Sequence, residues 1–167
     1  RVVMMARVSW RSRRIVRTLE HAGQPVTFRE IPSNYGHDSF LLVIEPYHDT
    51  LVACADAAAP QVVVSDIRMP PAFQSEGIDA CKEIRQRHPG TGVVILSQFD
   101  DPDYAIALLS EGAAGYAYLL KDRIAEGDQL AQAIRAVASG GSSLDPSIVD
   151  AMLRPVTASA DGLSPDD

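Results

Sequence analysis

Three side chains of different chemistry stand at the ends of three apolar runs in this sequence. Val62-Val63-Val64-Ser65 leads directly to Asp66, the run 92–97 ends at Ser97, and the run 115–120 is followed by Lys121. If these runs are parallel strands, their carboxyl ends lie at one edge of a sheet, where ligands bind. We therefore expect a carboxylate, a hydroxyl and an ammonium group to meet there. This set suits covalent phosphoryl capture, in which the carboxylate attacks phosphorus while the other two groups hold its oxygens.

The alternation of short apolar runs with helical patterns predicts an α/β fold, a parallel sheet covered by helices. The continuous β-branched run before Asp66 is typical of a central strand that is buried on both faces. Residues 24–39 fit neither pattern and are long for a connection, although 27–31 could form an extra strand. The predicted strands are 1–5, 40–44, 61–65, 92–97 and 115–120, and the predicted helices are 9–21, 50–59, 77–87, 104–113, 127–139 and 145–153.

The composition favours a globular protein without a membrane segment. With 167 residues, 46% of them hydrophobic, the chain is long enough for one domain with a substantial core. No apolar run approaches the roughly 20 residues of a transmembrane helix, and no secretory signal pattern is visible. Cys54 and Cys81 form no metal-binding pattern and are interpreted as core residues in a reducing compartment. We expect a cytoplasmic protein without a membrane partner.

The charge is unevenly distributed along the chain. The net charge is -7, yet residues 1–31 carry seven arginines against two glutamates. A basic helix face can bind nucleic acid, but a solvated face that pairs with acids elsewhere on the domain is the simpler interpretation. Because an acidic domain is a poor nucleic-acid ligand by itself, DNA binding would require another part of the protein.

Four segments carry a resemblance to a known family. They are VVVSDIRMPP, EGIDACKEIRQRHPG, VVILSQFDDPDYAIALLSEGAAGYAYLLKDR and AVASGGSSLDPSIVDAML. On these segments the chain resembles the receiver domain of bacterial two-component response regulators of the NarL/LuxR type, from about residue 49 to 154. The resemblance implies that Asp66 is the phosphoacceptor, Ser97 the switch hydroxyl, Lys121 the cation that pairs with the phosphoryl group, and Tyr118 the switch aromatic residue.

The resemblance also implies an architecture and a set of partners. The fold would be a flavodoxin-like, doubly wound, five-stranded parallel sheet of order 2-1-3-4-5, with helices on both faces. Residues 1–140 would form the receiver domain, 141–154 a short C-terminal helix, and 155–167 a linker toward a missing helix-turn-helix domain. A sensor histidine kinase would be the phosphoryl donor, and the protein would form a homodimer and bind DNA only through that missing domain. It would not be an enzyme beyond self-catalysed phosphotransfer and dephosphorylation.

The sequence departs from the family pattern at the expected metal site. Family members place two adjacent acids at the end of the first strand to bind Mg²⁺, whereas here the aligned residues are Ala6 and Arg7. Mg²⁺ would otherwise be held by Asp66 and the backbone carbonyl of Arg68, with Glu45 as a candidate substitute acid. Alternatively, the Arg7 guanidinium could replace part of the metal's charge, without its ability to bridge carboxylate and phosphoryl oxygens.

Two alternative functions remain open at this point. The missing acids favour a pseudo-receiver that dimerises or binds a partner without phosphorylation. A phosphatase of the haloacid dehalogenase type also uses an aspartate nucleophile at a strand end, but it requires a second acid two residues later. Arg68 occupies that position and cannot exchange a proton at neutral pH.

Overall fold

A computed structural model describes residues 2–7, 10–21, 23, 25–31, 47–69, 74–98, 102–110, 112–124 and 128–153. These residues form alternating strands and helices in the order expected of an α/β protein. The elements in chain order are β1 (Val2–Arg7), α1 (Trp10–His21), β2 (Val26–Ile31), α2 (Tyr47–Ala58), β3 (Val62–Asp66), α3 (Glu76–Arg87), β4 (Gly92–Ser97), α4 (Pro102–Leu109), β5 (Tyr116–Leu120), α5 (Lys121–Ile124), α6 (Gln129–Ala138), β6 (Ser143–Leu144) and α7 (Pro146–Leu153).

All described strand pairs are parallel, and they form one sheet of order β2-β1-β3-β4-β5-β6. The central strands β3 and β4 are buried along their whole length, which explains their continuous apolar sequences. The register pairs Asp66 with Leu96 and Ser97 with Leu120. The ends of β3, β4 and β5 therefore reach the same edge of the sheet.

The core lies on both faces of the sheet, because successive strand residues point to opposite sides. On one face, Val63, Ile95 and Tyr118 pack with buried residues of α2, α3, α4 and α7. On the other face, Val64 and Leu96 pack with buried residues of α1 and α6. The prediction of an α/β fold with a parallel sheet and helices is confirmed by this arrangement.

Two strands differ from the sequence prediction. The edge position beside β1 is occupied by Val26–Ile31, close to the segment 27–31 that the sequence left as an extra strand. The predicted second strand, 40–44, lies outside the described residues. The expected count of five strands differs from the described part of the chain, where the two-residue strand β6 adds a sixth beside β5. A strand so short has no detectable hydrophobic period, so no sequence pattern predicted it.

The longest helices, α1, α2 and α3, have 12 residues each. Within the ranges that the structure describes, no helix combines the length and apolar character needed to cross a membrane.

The two cysteines differ in burial, and we expect them to differ in reactivity. Cys81 on α3 is fully buried, and burial raises the pKa of its thiol to about 12. Cys54 on α2 is only partly buried. Because the thiolate is the reactive form, an aromatic disulfide reagent at neutral pH should titrate Cys54 in the native protein and Cys81 only after unfolding. The Cys54→Ser variant should show almost no native reactivity, and fast labelling of that variant would contradict the burial of Cys81.

Candidate functional site

Asp66 is held at the end of β3 in a buried position. It is the last residue of the strand, and only 8% of its surface is exposed. The Ser65 hydroxyl donates a hydrogen bond of 3.0 Å to the Asp66 backbone carbonyl, which helps to fix the turn that follows. A carboxylate with so little exposure requires a compensating partner, because desolvation disfavours its charged form.

Lys121 supplies that compensating charge. Its Nζ atom lies 2.8 Å from Oδ1 of Asp66, and 26% of the lysine side chain is exposed against 11% of the aspartate side chain. Lys121 is the first residue after β5, whereas Asp66 ends β3, so the contact spans β4. The structure thus joins two of the three side chains that sequence spacing placed at one edge.

Ser97 and Tyr118 lie on neighbouring strands beside this pair. Ser97 ends β4 and is 4% exposed, and Tyr118 on β5 is completely buried. The register pairs Tyr118 with Ile95, two residues before Ser97. Because side chains alternate along a strand, Ser97 and Tyr118 belong to the same face of the sheet. The register therefore places Ser97 and Tyr118 diagonally across neighbouring strands on one face of the sheet.

Sequence reasoning missed Gly77, which supports the loop after Asp66. Its backbone N–H donates a hydrogen bond of 2.9 Å to the Ile67 carbonyl. A Cβ atom at this position would lie 1.7 Å from the Asp66 carbonyl oxygen, so no larger residue fits without moving the backbone. A glycine in the first turn of a helix, where it is intrinsically unfavourable, was the available signal.

Arg68 makes a second contact that the sequence did not reveal. Its guanidinium carbon lies 5.6 Å from the centre of the Tyr104 ring, within the range of a cation–π interaction. Arg68 follows β3 by two residues and Tyr104 lies on α4, so this contact connects the loop beside Asp66 to α4.

The side chains that the structure describes around Asp66 do not fit a Mg²⁺ site. Strand β1 ends at Ala6 and Arg7 next to β3, and neither side chain offers an oxygen to a hard cation. Among the residues that the structure describes, no group of three or more metal-binding side chains exists. The described part of the chain does not include Glu45 or the side chain of Arg7.

Comparison with protein families shows which family this chain belongs to. Residues 45–142, more than half of the chain, match the family model described as response regulator receiver domain. The chain belongs to the response regulator receiver domain family. The resemblance identified from the sequence motifs is therefore confirmed.

Individual relatives agree with this assignment. The chain is 39% identical over 111 residues to the transcriptional regulatory protein YxjL of Bacillus subtilis. The matched region covers 66% of this chain and 43% of YxjL. It is similar in fold to the isolated receiver domain of RcsB from Salmonella enterica, with a TM-score of 0.64, 18% identity, and coverage of 89% of this chain and 95% of that one. A LuxR-family response regulator from Aurantimonas gives a TM-score of 0.59 at 20% identity, over 89% and 92% of the two chains.

The receiver fold accounts for only part of such proteins. This chain spans less than half the length of YxjL.

We expect Lys121→Met to destabilise the protein through Asp66. The substitution leaves a buried carboxylate without its cation, which should lower the free energy of unfolding by about 1–3 kcal/mol. The loss should be much smaller in an Asp66→Asn background, where no charge needs compensation. Urea denaturation of the four proteins gives this double-mutant cycle.

The matched control for this cycle is Lys82→Met, which removes the other lysine of the chain. Lys82 contacts the Ser110 hydroxyl at 3.3 Å, away from Asp66. The change in the free energy of unfolding caused by Lys82→Met should be the same with Asp66 and with Asn at position 66. Equal losses for Lys121→Met in the two backgrounds would show that the ion pair contributes nothing to folding.

Gly77→Ala should cost about 3 kcal/mol of stability, because its Cβ atom would meet backbone atoms that a side-chain rotation cannot relieve. Gly90→Ala provides the comparison, since nothing lies within 4 Å of a Cβ atom there. We expect that variant to remain within about 0.5 kcal/mol of the wild type. Thermal or urea unfolding measures both, and a Gly77→Ala protein as stable as the wild type would contradict the close approach at Asp66.

Proposed function

We propose that this chain is the receiver domain of a two-component transcription regulator, and that Asp66 accepts the phosphoryl group. The observation that carries the proposal is the 2.8 Å contact between Lys121 Nζ and Asp66 Oδ1 at the carboxyl edge of the sheet. This contact places a cation beside the carboxylate that ends the central strand β3. The family match and the similarity to transcriptional regulatory proteins support the same role.

In the proposed reaction, a carboxylate oxygen of Asp66 attacks the phosphorus of a donor such as a phosphohistidine. The new P–O bond gives an acyl phosphate as the P–N bond breaks, and the electron pair leaves with the imidazole nitrogen, which takes a proton from water. Lys121 moves its contact from the carboxylate to a phosphoryl oxygen, and Ser97 donates its hydroxyl hydrogen to another. Hydrolysis of the acyl phosphate by water resets Asp66. The domain would thus catalyse only its own modification.

No step of this proposal passes through a metal ion. Family members use Mg²⁺, but the described donors around Asp66 do not provide its oxygen ligands. We propose instead that Arg7, at the end of the strand beside β3, supplies positive charge to the phosphoryl group. Together, Lys121 and Arg7 would neutralise the incoming charge without the bridging that a metal gives.

The switch that follows would involve Ser97 and Tyr118. Drawing the Ser97 hydroxyl toward the phosphoryl group changes the space available on its face of the sheet, which favours the inward position of the Tyr118 ring. The complete burial of the Tyr118 side chain supports such an inward position. Phosphorylation would act as a population shift, which requires the phosphoryl group to bind the inward state more strongly than the outward state.

The regulator as a whole would consist of more than this domain. We propose residues 1–140 as the receiver domain, 141–154 as a short helical extension, and 155–167 as a linker toward a helix-turn-helix domain that binds DNA. A sensor histidine kinase would phosphorylate Asp66, and a homodimer would present two DNA-binding domains. The greater length of YxjL, named a transcriptional regulatory protein, supports this organisation.

A second candidate function follows from Ala6 and Arg7. Without the acid pair, the domain could serve as a pseudo-receiver that dimerises or binds a partner in the absence of phosphorylation. It would then retain the Lys121–Asp66 ion pair as a structural contact only. The two functions differ in one measurable property, the covalent modification of Asp66.

Incubation with acetyl phosphate, followed by intact-protein mass spectrometry, tests the proposal. We expect one added phosphoryl group on the wild type and none on Asp66→Asn, because Asp66 is the carboxylate that contacts Lys121 at the end of β3. The control Asp79→Asn removes an exposed acid from α3 and should be modified like the wild type. Modification should continue in EDTA and decrease in Arg7→Ala, but not in Arg17→Ala, which removes an exposed arginine of α1.

The absence of any Asp66-dependent mass increase would overturn the phosphoacceptor role in favour of the pseudo-receiver. Modification that EDTA abolishes would overturn the argument that Arg7 and Lys121 act without a metal.

A further inference from the structure

The C-terminal segment joins the sheet at the proposed switch residue. Strand β6 pairs in parallel with β5, with Ser143 opposite Ala117 and Leu144 opposite Tyr118. Immediately after β6, the Asp145 backbone N–H donates a hydrogen bond of 3.0 Å to the Tyr118 carbonyl. The backbone of Tyr118 is therefore tied directly to the segment that precedes α7.

Asp145 makes this connection rigid. Only 2% of its surface is exposed, and its Oδ1 atom accepts hydrogen bonds from the Ser147 backbone N–H at 3.0 Å and from the Ser147 hydroxyl at 2.7 Å. These bonds satisfy the first turn of α7 and fix its starting direction. A movement at Tyr118 would thus reach the beginning of α7 through one residue rather than through a flexible loop.

Helix α7 also shares a hydrophobic cluster with Tyr118. Ile148 is fully buried in the same cluster as Tyr118, together with Ala105 and Leu108 of α4, and α7 packs against α4. The far end of α7 is different, since Leu153 is 75% exposed. An outward rotation of the Tyr118 ring would leave a gap in the hydrophobic cluster to which α7 contributes. It would thereby weaken the packing of α7 on α4.

We propose that the docking of α7 on α4 is coupled to the state of Asp66, so that phosphorylation tightens it. This inference rests on the proposed phosphoacceptor role. The physical reason is that the buried Tyr118 ring and the docked α7 pack in the same hydrophobic cluster. Any event that stabilises the buried position of the ring therefore also stabilises the docked position of the helix. Thermodynamic linkage makes the coupling reciprocal: docked α7 favours the phosphorylated state by the same factor. Helix α7 would then carry the state of Asp66 into the chain that follows it.

Hydrogen–deuterium exchange of the amides in 143–153 tests the coupling. The protein is compared with and without beryllofluoride, a phosphoryl mimic, while binding at Asp66 is followed separately by ¹⁹F NMR. We expect exchange in this segment to slow by about fivefold or more in the wild type, in line with a typical coupling between sites. No slowing is expected in Asp66→Asn.

The two readouts separate failure of the inference from failure of the proposed function. No beryllofluoride signal at Asp66, with no modification by acetyl phosphate, would overturn the phosphoacceptor role itself. A signal at Asp66 with unchanged or faster exchange in 143–153 would overturn the coupling and leave the phosphoacceptor role in place.

Two variants test the reciprocal effect. Ile148→Ser should loosen α7 and decrease the extent of Asp66 phosphorylation at a fixed acetyl phosphate concentration by about fivefold or more. Leu153→Ser lies on the same helix but is exposed, and should leave phosphorylation unchanged. If Ile148→Ser fails to fold, Asp145→Ala loosens the start of α7 instead, and normal phosphorylation of a protein whose α7 is shown by exchange to be loose would contradict the linkage.

Discussion

The contact between the Lys121 ammonium and the Asp66 carboxylate is the interaction on which the site depends. Asp66 is almost completely buried, and a buried carboxylate is tolerated only where a cation or hydrogen bonds replace its water. Lys121 in turn is held by its position as the first residue after β5. Because β4 separates the two residues, their distance is set by the sheet itself, and any change in the packing of β4 would alter the site.

The same sheet joins the site to the rest of the molecule. Gly77 allows α3 to approach the backbone behind Asp66, and Arg68 contacts Tyr104 on α4. On β5, Tyr118 lies three residues before Lys121 and is hydrogen-bonded through its backbone to Asp145. Helices α3, α4 and α7 therefore all contact elements within a few residues of the ion pair. Only a few packed residues separate Asp66 from each of these helices, and a switch requires such continuous packing.

The sequence was sufficient for the central part of the fold and insufficient for its edges. Asp66, Ser97 and Lys121 could be placed together because each ends a strong apolar run, and parallel strands bring such ends to one edge. The edge strand Val26–Ile31 was harder to identify because it contains charged residues and follows a short connection, whereas 40–44 is more apolar. Strand β6 and the hydrogen bond from Asp145 to Tyr118 depend on tertiary position. The position of Gly77 in the first turn of a helix was a local signal, but the backbone that it approaches belongs to a different element.

The absence of acidic residues at the end of β1 suits the charge balance of the ion pair between Lys121 and Asp66. In the family pattern, two further carboxylates beside Asp66 would leave one lysine facing three negative charges, which a divalent cation must offset. With Ala6 and Arg7 instead, the negative charge of Asp66 is already balanced by Lys121 in the unmodified state. Phosphorylation would replace the single negative charge of the Asp66 carboxylate with about two negative charges on the acyl phosphate at neutral pH, more than one lysine can offset. A second cation is then needed only in the phosphorylated state, and an arginine on the adjacent strand is the nearest candidate that the sequence of β1 provides.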